Sequence, residues 1–450
     1  MSDLRDYQKT GAAFLATVER GLLADAPRVG KTAAAIAACD MVGARKVLWI
    51  TTGSARQDHQ RAWVRFQQTQ RNVLALLAGP PPETLPDVLI CSYDQVIRHY
   101  ERIGKRWDAV VLDEVHKLKG RESKRTEIIY GKDCKAGPDS IVGSARYVFA
   151  LSGTPAPNNY AELWPFLRAV VPNVIREPHE TGRPLSYWPY TEKFCRLRDD
   201  GFGIKIVGNK NADELKRRLA PVMLRRTLDE IAPQVPKIQS DVLLVGDKAA
   251  VRKLRDLEMD ERMAKLGDQL AAAPDDATRT LILHAATAHL DKTLPRLTGQ
   301  AKIEPIVDWL LEEMPQKIVI FGWHTSNLAE LWRRLGGSLN AVLLDGATAP
   351  YDRGKFVERF QTDPRCNFFV GQILAAGEAI DLSAADEVLF AESSWVPGHN
   401  EQAALRVVNI NKTRPTLARF ATIAGSIDER IQRVAADKLA DLTKLFTKEV

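Results

Sequence analysis

The 450-residue sequence predicts an α/β protein in which two parallel β-sheets follow one another along the chain. Short runs rich in Val, Leu and Ile alternate with amphipathic, helix-like segments. This alternation is typical of βαβ units, whose sheet is covered by helices on both faces. The runs also form two groups, one over about 20–155 and one over about 300–425, with few strand-like runs between them.

The candidate strands have the lengths expected of buried strands in a parallel sheet. In chain order they are VLWIT (47–51), DVLICS (87–92), AVVLD (109–113), YVFALSG (147–153), KIVIFG (317–322), AVLLDG (341–346), NFFVG (367–371) and EVLFAE (387–392). Ligands of such sheets bind beyond the carboxyl ends of the strands. Motifs at those ends therefore carry the functional argument.

The composition excludes several classes of protein. Hydrophobic residues make up 45% of the chain and charged residues 27%, which excludes a disordered, a collagen-like or a disulfide-scaffold chain. The formal net charge is +6, and it is uneven: residues 1–250 carry a balance of +9 and residues 251–450 a balance of −3. A polyanionic partner is therefore expected on the N-terminal half, with chance unevenness as the alternative.

The cysteines and the hydropathy pattern bear on location. The five cysteines are scattered, odd in number and without a CxxC pair, which favours a reducing compartment and no zinc site. The sequence has no apolar signal core near its start and no apolar run of about 18 residues. We expect a cytoplasmic protein, or a nuclear one in a eukaryote, with no membrane partner.

A candidate phosphate loop is ADAPRVGKT (24–32), with a helical pattern after it. Gly30, Lys31 and Thr32 at a strand-to-helix turn would offer backbone N–H groups to phosphate, a lysine to the β- and γ-phosphates and a hydroxyl to Mg²⁺. The strict GxxxxGK[ST] pattern is not met because Asp25 occupies its first glycine position. An ordinary turn remains the alternative.

Two further strand ends carry polar residues. AVVLDEVHKLKG (109–120) delivers Asp113 and Glu114 together, and such a pair can hold Mg²⁺ and deprotonate water. ALSGTP (150–155) ends a strand in small hydroxyl residues, Ser152 and Thr154, which could relay between nucleotide and substrate. Taken singly, these segments also fit a solvated acidic turn and a Pro-terminated turn.

In this order the motifs resemble those of superfamily-two helicases and, within them, the Swi/Snf-like double-stranded DNA translocases. FAESSWVPG is most similar to the annealing-helicase, fork-remodelling branch. The resemblance spans about residues 4–435 and implies two RecA-like lobes with ATP and DNA in the cleft between them. The segments that carry it are LRDYQKTGAAFL (4–15), SYDQV (92–96), DEVH (113–116), LSGTP (151–155), LAPVMLRRTLDEI (219–231), TGQAKIEPI (298–306), KIVIFGWHTSNL (317–328), LLDGAT (343–348) and LFAESSWVPGHNEQAALR (389–406).

The resemblance implies ATP and Mg²⁺ as cofactors and gives roles to individual residues. Lys31, Asp113, Glu114 and Arg406 are the expected catalytic residues, with Glu114 as general base and Arg406 as an arginine finger. Thr32 and Asp113 are expected to hold Mg²⁺. The expected nucleotide contacts are Gln8 for adenine, with Arg28, Gly30, Lys31, Thr32 and Gln402. The residues expected to couple hydrolysis to lobe movement are His116, Ser152, Thr154 and Gly377.

Contacts to DNA are expected from both lobes. They are expected at Ser92, Tyr93, Lys117, Lys119, Arg225 and Arg226 in the first lobe and at His324, Thr325 and Thr348 in the second. The basic clusters 98–106, 117–125 and 215–226 suit phosphate contacts that do not read bases. A solvated helix face explains any one cluster equally well.

We expect four parts along the chain. Residues 1–240 would form the N-terminal ATP-binding lobe, with a helical, Trp- and Pro-rich insertion at about 165–215. Residues 241–300 would form a helical linker, residues 301–425 the C-terminal lobe, and residues 426–450 a C-terminal helix.

The sequence departs from the family pattern at several positions. Arg28 stands where GxGKT has its first glycine, and Asn409 stands where the final motif has a second arginine. The other departures are Ala379, Asp381, Asn411 and Lys412. An arginine finger contributes about 10³–10⁵ in turnover. The chain is expected to be a DNA-dependent ATPase, and these departures keep a slow or inactive one as the alternative hypothesis.

The function predicted is an ATP-dependent, sequence-independent translocase on double-stranded or branched DNA, active in fork remodelling, annealing, repair or recombination. The chain is expected to be monomeric. Only three residues precede the first motif, which favours a bare motor core of phage or bacterial type. The alternatives are a DNA-binding scaffold with a weakened or inactive ATPase and an RNA helicase.

Overall fold

A computed structural model describes residues 4–104, 106–177, 182–199, 203–256, 293–376, 380–409 and 411–446. The chain divides into two compact units. The first unit contains residues 1–235, 396–398 and 437–450, and the second contains residues 236–395 and 399–436. Each unit is built on its own parallel sheet, so the predicted α/β class with two parallel sheets in tandem is confirmed.

The described part of the first unit holds a seven-stranded parallel sheet in the order β3-β4-β2-β5-β6-β1-β9. A separate antiparallel hairpin, β7–β8, lies within the predicted insertion. The strands are β1 Arg20–Leu23, β2 Val47–Thr51, β3 Val73–Ala75, β4 Val88–Ser92, β5 Ala109–Asp113, β6 Tyr147–Leu151, β7 Cys195–Asp199, β8 Ile204–Asn209 and β9 Met223–Leu224.

Helices cover both faces of this sheet, because alternate strand residues supply two apolar clusters. On β2, Leu48 and Ile50 join one cluster, whereas Val47 and Trp49 join the other. The α-helices are Asp6–Val18, Lys31–Met41, Arg56–Phe66, Tyr93–Arg98, Tyr100–Ile103, Lys124–Tyr130, Ile141–Ser144, Trp164–Val170, Tyr187–Phe194, Ala212–Leu219 and Leu228–Ile231. The 3₁₀ turns are Val115–Leu118, Lys132–Cys134, Tyr160–Leu163 and Pro172–Ile175.

The strand register brings three motifs of the first unit to one edge. Leu23 at the end of β1 pairs with Leu151 at the end of β6, and Leu151 pairs in turn with Asp113 at the end of β5. Parallel strands share their carboxyl ends at one edge of the sheet. The segments that follow these three residues therefore start level with one another.

The described part of the second unit holds a six-stranded parallel sheet in the order β10-β15-β14-β11-β13-β12. The strands are β10 Ile238–Leu244, β11 Ile318–Gly322, β12 Ala341–Leu344, β13 Phe368–Gln372, β14 Glu387–Phe390 and β15 Thr416–Thr422. The helices after β10 are Ile303–Glu313, Thr325–Arg334, Pro350–Thr362, Ile373–Ala376, Pro397–Ala404 and Ile427–Phe446, with 3₁₀ turns at Gly337–Leu339 and Leu405–Val407.

A buried ion pair fixes the start of the last helix on the second unit. The Lys302 ammonium donates to the carbonyl oxygen of Ala421 at 2.9 Å and to the Asp428 carboxylate at 3.0 Å. Both charged side chains are buried, so breaking this pair would leave an uncompensated charge in the core. Across the described residues, no helix is both long and apolar enough for a membrane span.

Candidate functional site

The loop between β1 and the helix Lys31–Met41 packs closely against the Gln8 side chain. Gly30 caps the helix with φ +85°, and a Cβ there would lie 2.4 Å from Gln8 Nε2. Only glycine avoids both the backbone strain and this clash. Arg28, two residues earlier, also has a positive φ, +65°, at the position where the family pattern has glycine. The loop thus keeps a left-handed residue at this point at some conformational cost.

The first helix docks on this loop. Gln8 Nε2 donates to the carbonyl oxygen of Val29 at 3.1 Å, and the Tyr7 hydroxyl donates to the same oxygen at 2.9 Å. The expected contact of Gln8 with adenine stays a prediction. The hydrogen bond to Val29 holds the Gln8 side chain beside Gly30.

Lys31 is the first residue of the helix, and its side chain turns back onto the loop. Its Nζ donates to the carbonyl oxygens of Asp25 and Ala26, both at 2.9 Å. Burial lowers the pKa of Lys31, while the negative charges of Glu114, Asp25 and Asp113 oppose that shift. A cation held by two neutral carbonyls in a partly buried loop is well suited to exchange them for an anion.

Arg225 and Arg226 brace the same loop. β9 pairs with β1, and the Arg226 guanidinium grips the buried Asp25 carboxylate through Nε at 3.0 Å and Nη2 at 2.5 Å. Arg225 Nη1 donates to the carbonyl oxygens of Ala24 at 3.2 Å and Gly153 at 3.0 Å. The sequence predicts DNA contacts for both arginines. The described contacts hold both guanidinium groups against the loop that follows β1, and the expected DNA contacts stay a prediction.

The carboxylate of Asp113 is tightly surrounded. Its Oδ2 accepts from Thr51 Oγ1 at 2.8 Å and lies 2.8 Å from His59 Nε2. The Tyr93 hydroxyl donates to the Asp113 carbonyl oxygen at 2.7 Å. Sequence reasoning missed Thr51 and His59. The only signal was a histidine placed on the inner side of an amphipathic helix.

A polar chain links the ends of β5 and β6. Glu114 has a left-handed backbone with φ +52°, and its Oε2 lies 3.3 Å from His116 Nδ1. The same nitrogen lies 3.1 Å from Ser152 Oγ, which accepts from the Thr154 backbone N–H at 3.2 Å. The structure therefore brings together these four residues, which sequence analysis assigned to catalysis and coupling.

The other residues expected at DNA in the first unit differ in exposure. Ser92 is buried and caps the helix Tyr93–Arg98, accepting from the Gln95 N–H at 3.2 Å. Tyr93 is only 3% exposed. Lys117 and Lys119 are partly exposed, and Lys119 pairs with Glu162 at 2.9 Å. The two lysines are accessible to solvent, whereas Ser92 and Tyr93 are buried and make hydrogen bonds inside the first unit.

In the second unit, Glu392 follows β14 and gathers four donors. The N–H groups of Trp323 and His324 donate to Oε2, and Asn327 Nδ2 and His324 Nδ1 lie at Oε1, each at 2.8 Å. A Cβ on Gly299 would lie 2.0 Å from Oε1. Burial raises the pKa of Glu392, but the His324 and Asn327 hydrogen bonds outweigh it and lower the pKa.

The loops beside this cluster are also tied together. Thr348 Oγ1 donates to Asp345 Oδ1 at 3.0 Å. Gln372 Oε1 accepts from the Gly346 N–H at 3.2 Å, and its Nε2 donates to the Trp323 carbonyl oxygen at 3.2 Å. Thr325, the first residue of its helix, is exposed. His324, Thr325 and Thr348 thus follow β11 and β12 at the same edge of this sheet.

Several residues of the last motif, 402–412, are buried or hydrogen-bonded to their neighbours. Arg406 is 7% exposed, and its carbonyl oxygen accepts from the Leu382 N–H at 3.0 Å. Asn409 Oδ1 accepts from the Asn411 N–H at 2.9 Å, closing its own turn. The buried Lys412 ammonium donates to the Val407 carbonyl oxygen at 2.7 Å. Gln402 is partly buried on the helix Pro397–Ala404, and Gly377 lies outside the described residues.

The first of the two parallel sheets carries three features at its strand ends: a glycine-capped loop followed by Lys31, an Asp-Glu pair and a strand end with hydroxyl residues. The predicted resemblance to superfamily-two helicases rests on these features. A model of the SNF2-related domain matches residues 45–254, and a model of the helicase conserved C-terminal domain matches residues 301–411. These two matches confirm the predicted resemblance to SNF2-related, Swi/Snf-like proteins.

Curated relatives extend beyond this chain. It is 27% identical over 449 residues to the SWI/SNF-related matrix-associated actin-dependent regulator of chromatin subfamily A-like protein 1 of Xenopus tropicalis, covering 97% of the chain and 44% of the relative. It is 25% identical over 331 residues to the human DNA annealing helicase and endonuclease ZRANB3, covering 72% of the chain and 28% of the relative. The chain thus spans less than half the length of these relatives.

A solved structure is also similar. The Sulfolobus solfataricus SWI2/SNF2 ATPase core in complex with dsDNA aligns over 100% of this chain and 98% of that chain, with 19% identity and a TM-score of 0.42.

Proposed function

We propose that the chain is an ATP- and Mg²⁺-dependent motor that translocates on double-stranded DNA and remodels branched or replicating DNA. The observation that carries the proposal is the common edge of the first sheet, where the loop of Lys31, the carboxylates of Asp113 and Glu114 and the hydroxyl of Ser152 begin level with one another. The curated relatives include a protein named as a DNA annealing helicase, which supports the DNA substrate.

The residues at this edge fit a nucleoside triphosphate. A Cβ on Gly30 would lie 2.4 Å from Gln8 Nε2, so glycine lets the loop pack against Gln8. The N-terminus of the helix Lys31–Met41, which suits an anion, follows directly. Lys31 supplies a cation and Asp113 a carboxylate for Mg²⁺, with Thr32 as the hydroxyl partner. Bound ATP with its magnesium would supply the phosphoanhydride bond whose hydrolysis drives the cycle.

The chain's own residues would act as follows. The Lys31 ammonium would exchange the carbonyl oxygens of Asp25 and Ala26 for the phosphates of the nucleotide. Glu114 would take a proton from the attacking water. His116, whose Nδ1 lies 3.3 Å from Glu114 Oε2, would sense the state of Glu114 and pass it to Ser152 and Thr154 through their hydrogen bonds. The family resemblance also assigns a nucleotide contact to Gln402 and the role of arginine finger to Arg406.

The DNA contacts we propose are to the sugar-phosphate backbone. Lys117 and Lys119 in the first unit are partly exposed, as are His324 and Thr348 in the second. The balance of +9 over residues 1–250 would attract a polyanion, and the binding would be independent of sequence and steeply dependent on salt. A monomer would suffice, and the five buried free thiols fit a reducing compartment such as a cytoplasm.

The experiment that tests this proposal is the ATPase rate with and without DNA. We expect duplex or forked DNA to raise turnover, and Lys31→Ala to abolish turnover while the chain still binds duplex. The exposed Lys9→Ala, in the same unit, is the matched control and should behave as wild type. A rate that DNA does not change, or full activity in Lys31→Ala, would contradict the motor.

A DNA-binding scaffold is the second candidate, and one observation favours it. Asn409 stands where the family pattern has a second arginine, and its Oδ1 accepts from the Asn411 N–H within a local turn. Duplex binding with no turnover above background would support the scaffold. Asn409→Arg then tests whether a second guanidinium restores hydrolysis.

A further inference from the structure

Two side chains of the first unit converge on one oxygen of Asp113. Thr51 Oγ1 donates to Asp113 Oδ2 at 2.8 Å, and His59 Nε2 lies 2.8 Å from the same oxygen. His59 Nε2 is also 3.1 Å from Thr51 Oγ1, so the three groups form a closed triangle. The His59 and Asp113 side chains are 9% and 14% exposed, which keeps the triangle largely away from bulk water.

The elements that hold this triangle are rigid. Thr51 is the last residue of β2, which pairs with β5 next to Asp113. His59 lies on the helix Arg56–Phe66, and its ring packs against Trp49 with centroids 5.1 Å apart. Neither donor comes from the nucleotide loop or from the segments that carry the family motifs.

The arrangement selects one carboxylate oxygen. Each carboxylate oxygen has two lone pairs, and two donors on Oδ2 occupy both. Oδ1 is then the oxygen of Asp113 that stays available for a ligand at the strand end. A histidine that only filled the core would have its nitrogen satisfied by a backbone carbonyl or by solvent, rather than by a residue of the Asp-Glu pair.

We infer that His59, together with Thr51, is a positioning residue that orients Asp113 for Mg²⁺ in the proposed ATP site. The inference rests on the proposed function, because it concerns the metal of that site. His59 acts through Asp113 and touches neither nucleotide nor metal itself. Partners of a metal-binding carboxylate fix its orientation, and losing one typically costs about 10–100-fold in metal affinity or activity.

The chemistry required of His59 is a single hydrogen-bond donor. A neutral imidazole with its proton on Nε2 donates to Asp113 Oδ2, and Thr51 can donate to the same oxygen at the same time. No charge on the ring is needed. A glutamine at this position, which also carries an N–H donor, should therefore replace the histidine better than an apolar ring of the same size.

The experiment uses the full chain and a fluorescent methylanthraniloyl-ADP as probe. Its affinity is measured first without divalent metal and then across a Mg²⁺ titration, and Mn²⁺ bound to the protein–ADP complex is counted by electron paramagnetic resonance. We expect His59→Phe to raise the half-saturating Mg²⁺ concentration about tenfold and to weaken Mn²⁺ binding equally. Probe affinity without metal should stay within about twofold, because Lys31 and Gly30 are unchanged.

Three further variants separate positioning from packing. Trp63→Phe disturbs the same aromatic cluster, since Trp63 packs edge-on against Trp49 at 5.9 Å, but it leaves both donors to Asp113 in place. It should bind Mg²⁺ as wild type does. His59→Gln should recover most of the loss seen in His59→Phe, and Thr51→Val, of almost unchanged volume, should reproduce that loss if His59→Phe does not fold.

The outcomes are distinct. A half-saturating Mg²⁺ concentration in His59→Phe and Thr51→Val equal to that of wild type overturns the inference, as does an equal shift in Trp63→Phe. If wild type fails to bind the probe with or without metal, the proposed function itself fails. If wild type binds the probe and responds to Mg²⁺ while both variants match it, the proposed function stands and only the role of His59 is lost.

Discussion

Each unit ends one strand in acidic residues at the edge of its sheet, and the two treat those residues in opposite ways. Asp113 ends β5 and Glu114 follows it, and within the described part of the chain the side-chain donors to Asp113 meet Oδ2 alone. Glu392 follows β14, and donors meet both of its oxygens. Asp113 Oδ1 is therefore left to accept a ligand, whereas both oxygens of Glu392 accept hydrogen bonds from residues 323–327.

The comparison teaches that position on a sheet does not define a role. Both carboxylates lie where parallel sheets bind ligands. What separates them is hydrogen-bond saturation, because a carboxylate whose lone pairs are all taken by buried donors cannot also accept a proton from water or hold a metal. His324, expected at DNA, is by this account oriented by Glu392 before any DNA arrives.

The largest expected effect is on ATP turnover, which should depend on Glu114 and not on Glu392. We expect Glu114→Gln to lower the DNA-stimulated rate by about 10²–10⁴, the range for loss of a general base. The matched variant Glu392→Gln should keep the rate of the folded protein within a few-fold of wild type. Steady-state phosphate release at saturating ATP and duplex measures both.

The pair is informative in either direction. Equal losses in Glu114→Gln and Glu392→Gln would mean that the second-unit carboxylate takes part in the chemistry, and the contrast drawn above would be wrong. Nucleotide affinity, measured separately, should be nearly the same in Glu114→Gln and wild type, since the amide keeps the side-chain volume and leaves both hydrogen bonds of Lys31 to the loop carbonyls in place.

The second expectation concerns the brace of the nucleotide loop. Arg226→Ala leaves the carboxylate of Asp25, which is 2% exposed, without its guanidinium partner. Loss of one member of a buried pair costs about 3–5 kcal/mol, so the first unit should unfold at markedly lower denaturant and bind nucleotide weakly. Urea unfolding followed by tryptophan fluorescence checks the first result.

A double variant sharpens this expectation. Asp25→Asn combined with Arg226→Leu removes both charges and should recover a large part of the stability lost in Arg226→Ala. If Arg226→Ala is as stable as wild type and loses only DNA affinity, then Arg226 works as the sequence predicts, at DNA, and its contact with Asp25 is incidental.

The sequence carried much of the fold because the signals were local. Buried runs such as 47–51 and 109–113 coincide with β2 and β5, and the polar residues after them fall where the parallel arrangement requires. Most of the missed strands are short or exposed, whereas the missed β15 has seven residues and is largely buried. β1 has four residues and β9 only two, too few for a periodic pattern, and β9 forms only because it pairs with β1.

The site was harder to predict where partners are distant in sequence. Arg226 and Asp25 are 201 positions apart, and His59 and Asp113 are 54 apart. A basic residue in a basic cluster reads as a DNA contact until the fold shows which acid it meets. Residues adjacent to a motif, such as His116 after Glu114, could be placed because the motif itself fixed their spacing.

The smallest expected effect is a pH-dependent stability that belongs to the second unit. Because hydrogen bonds from His324 and Asn327 outweigh burial, the pKa of Glu392 lies below its ordinary 4.5. The folded state then binds this proton less tightly than the unfolded chain does. The stability it contributes is present above pH 4.5 and is lost as pH falls through the lower folded-state pKa.

Glu392→Gln isolates this contribution. An amide offers one oxygen to four donors, so we expect a loss of about 1–3 kcal/mol at neutral pH. The gap between variant and wild type should narrow steadily below pH 4.5, where the wild-type carboxylate also becomes protonated. Urea unfolding of both proteins across this range measures the gap. A gap that stays constant with pH would show that Glu392 holds its turn by shape alone, without the charge that the contrast with Asp113 requires.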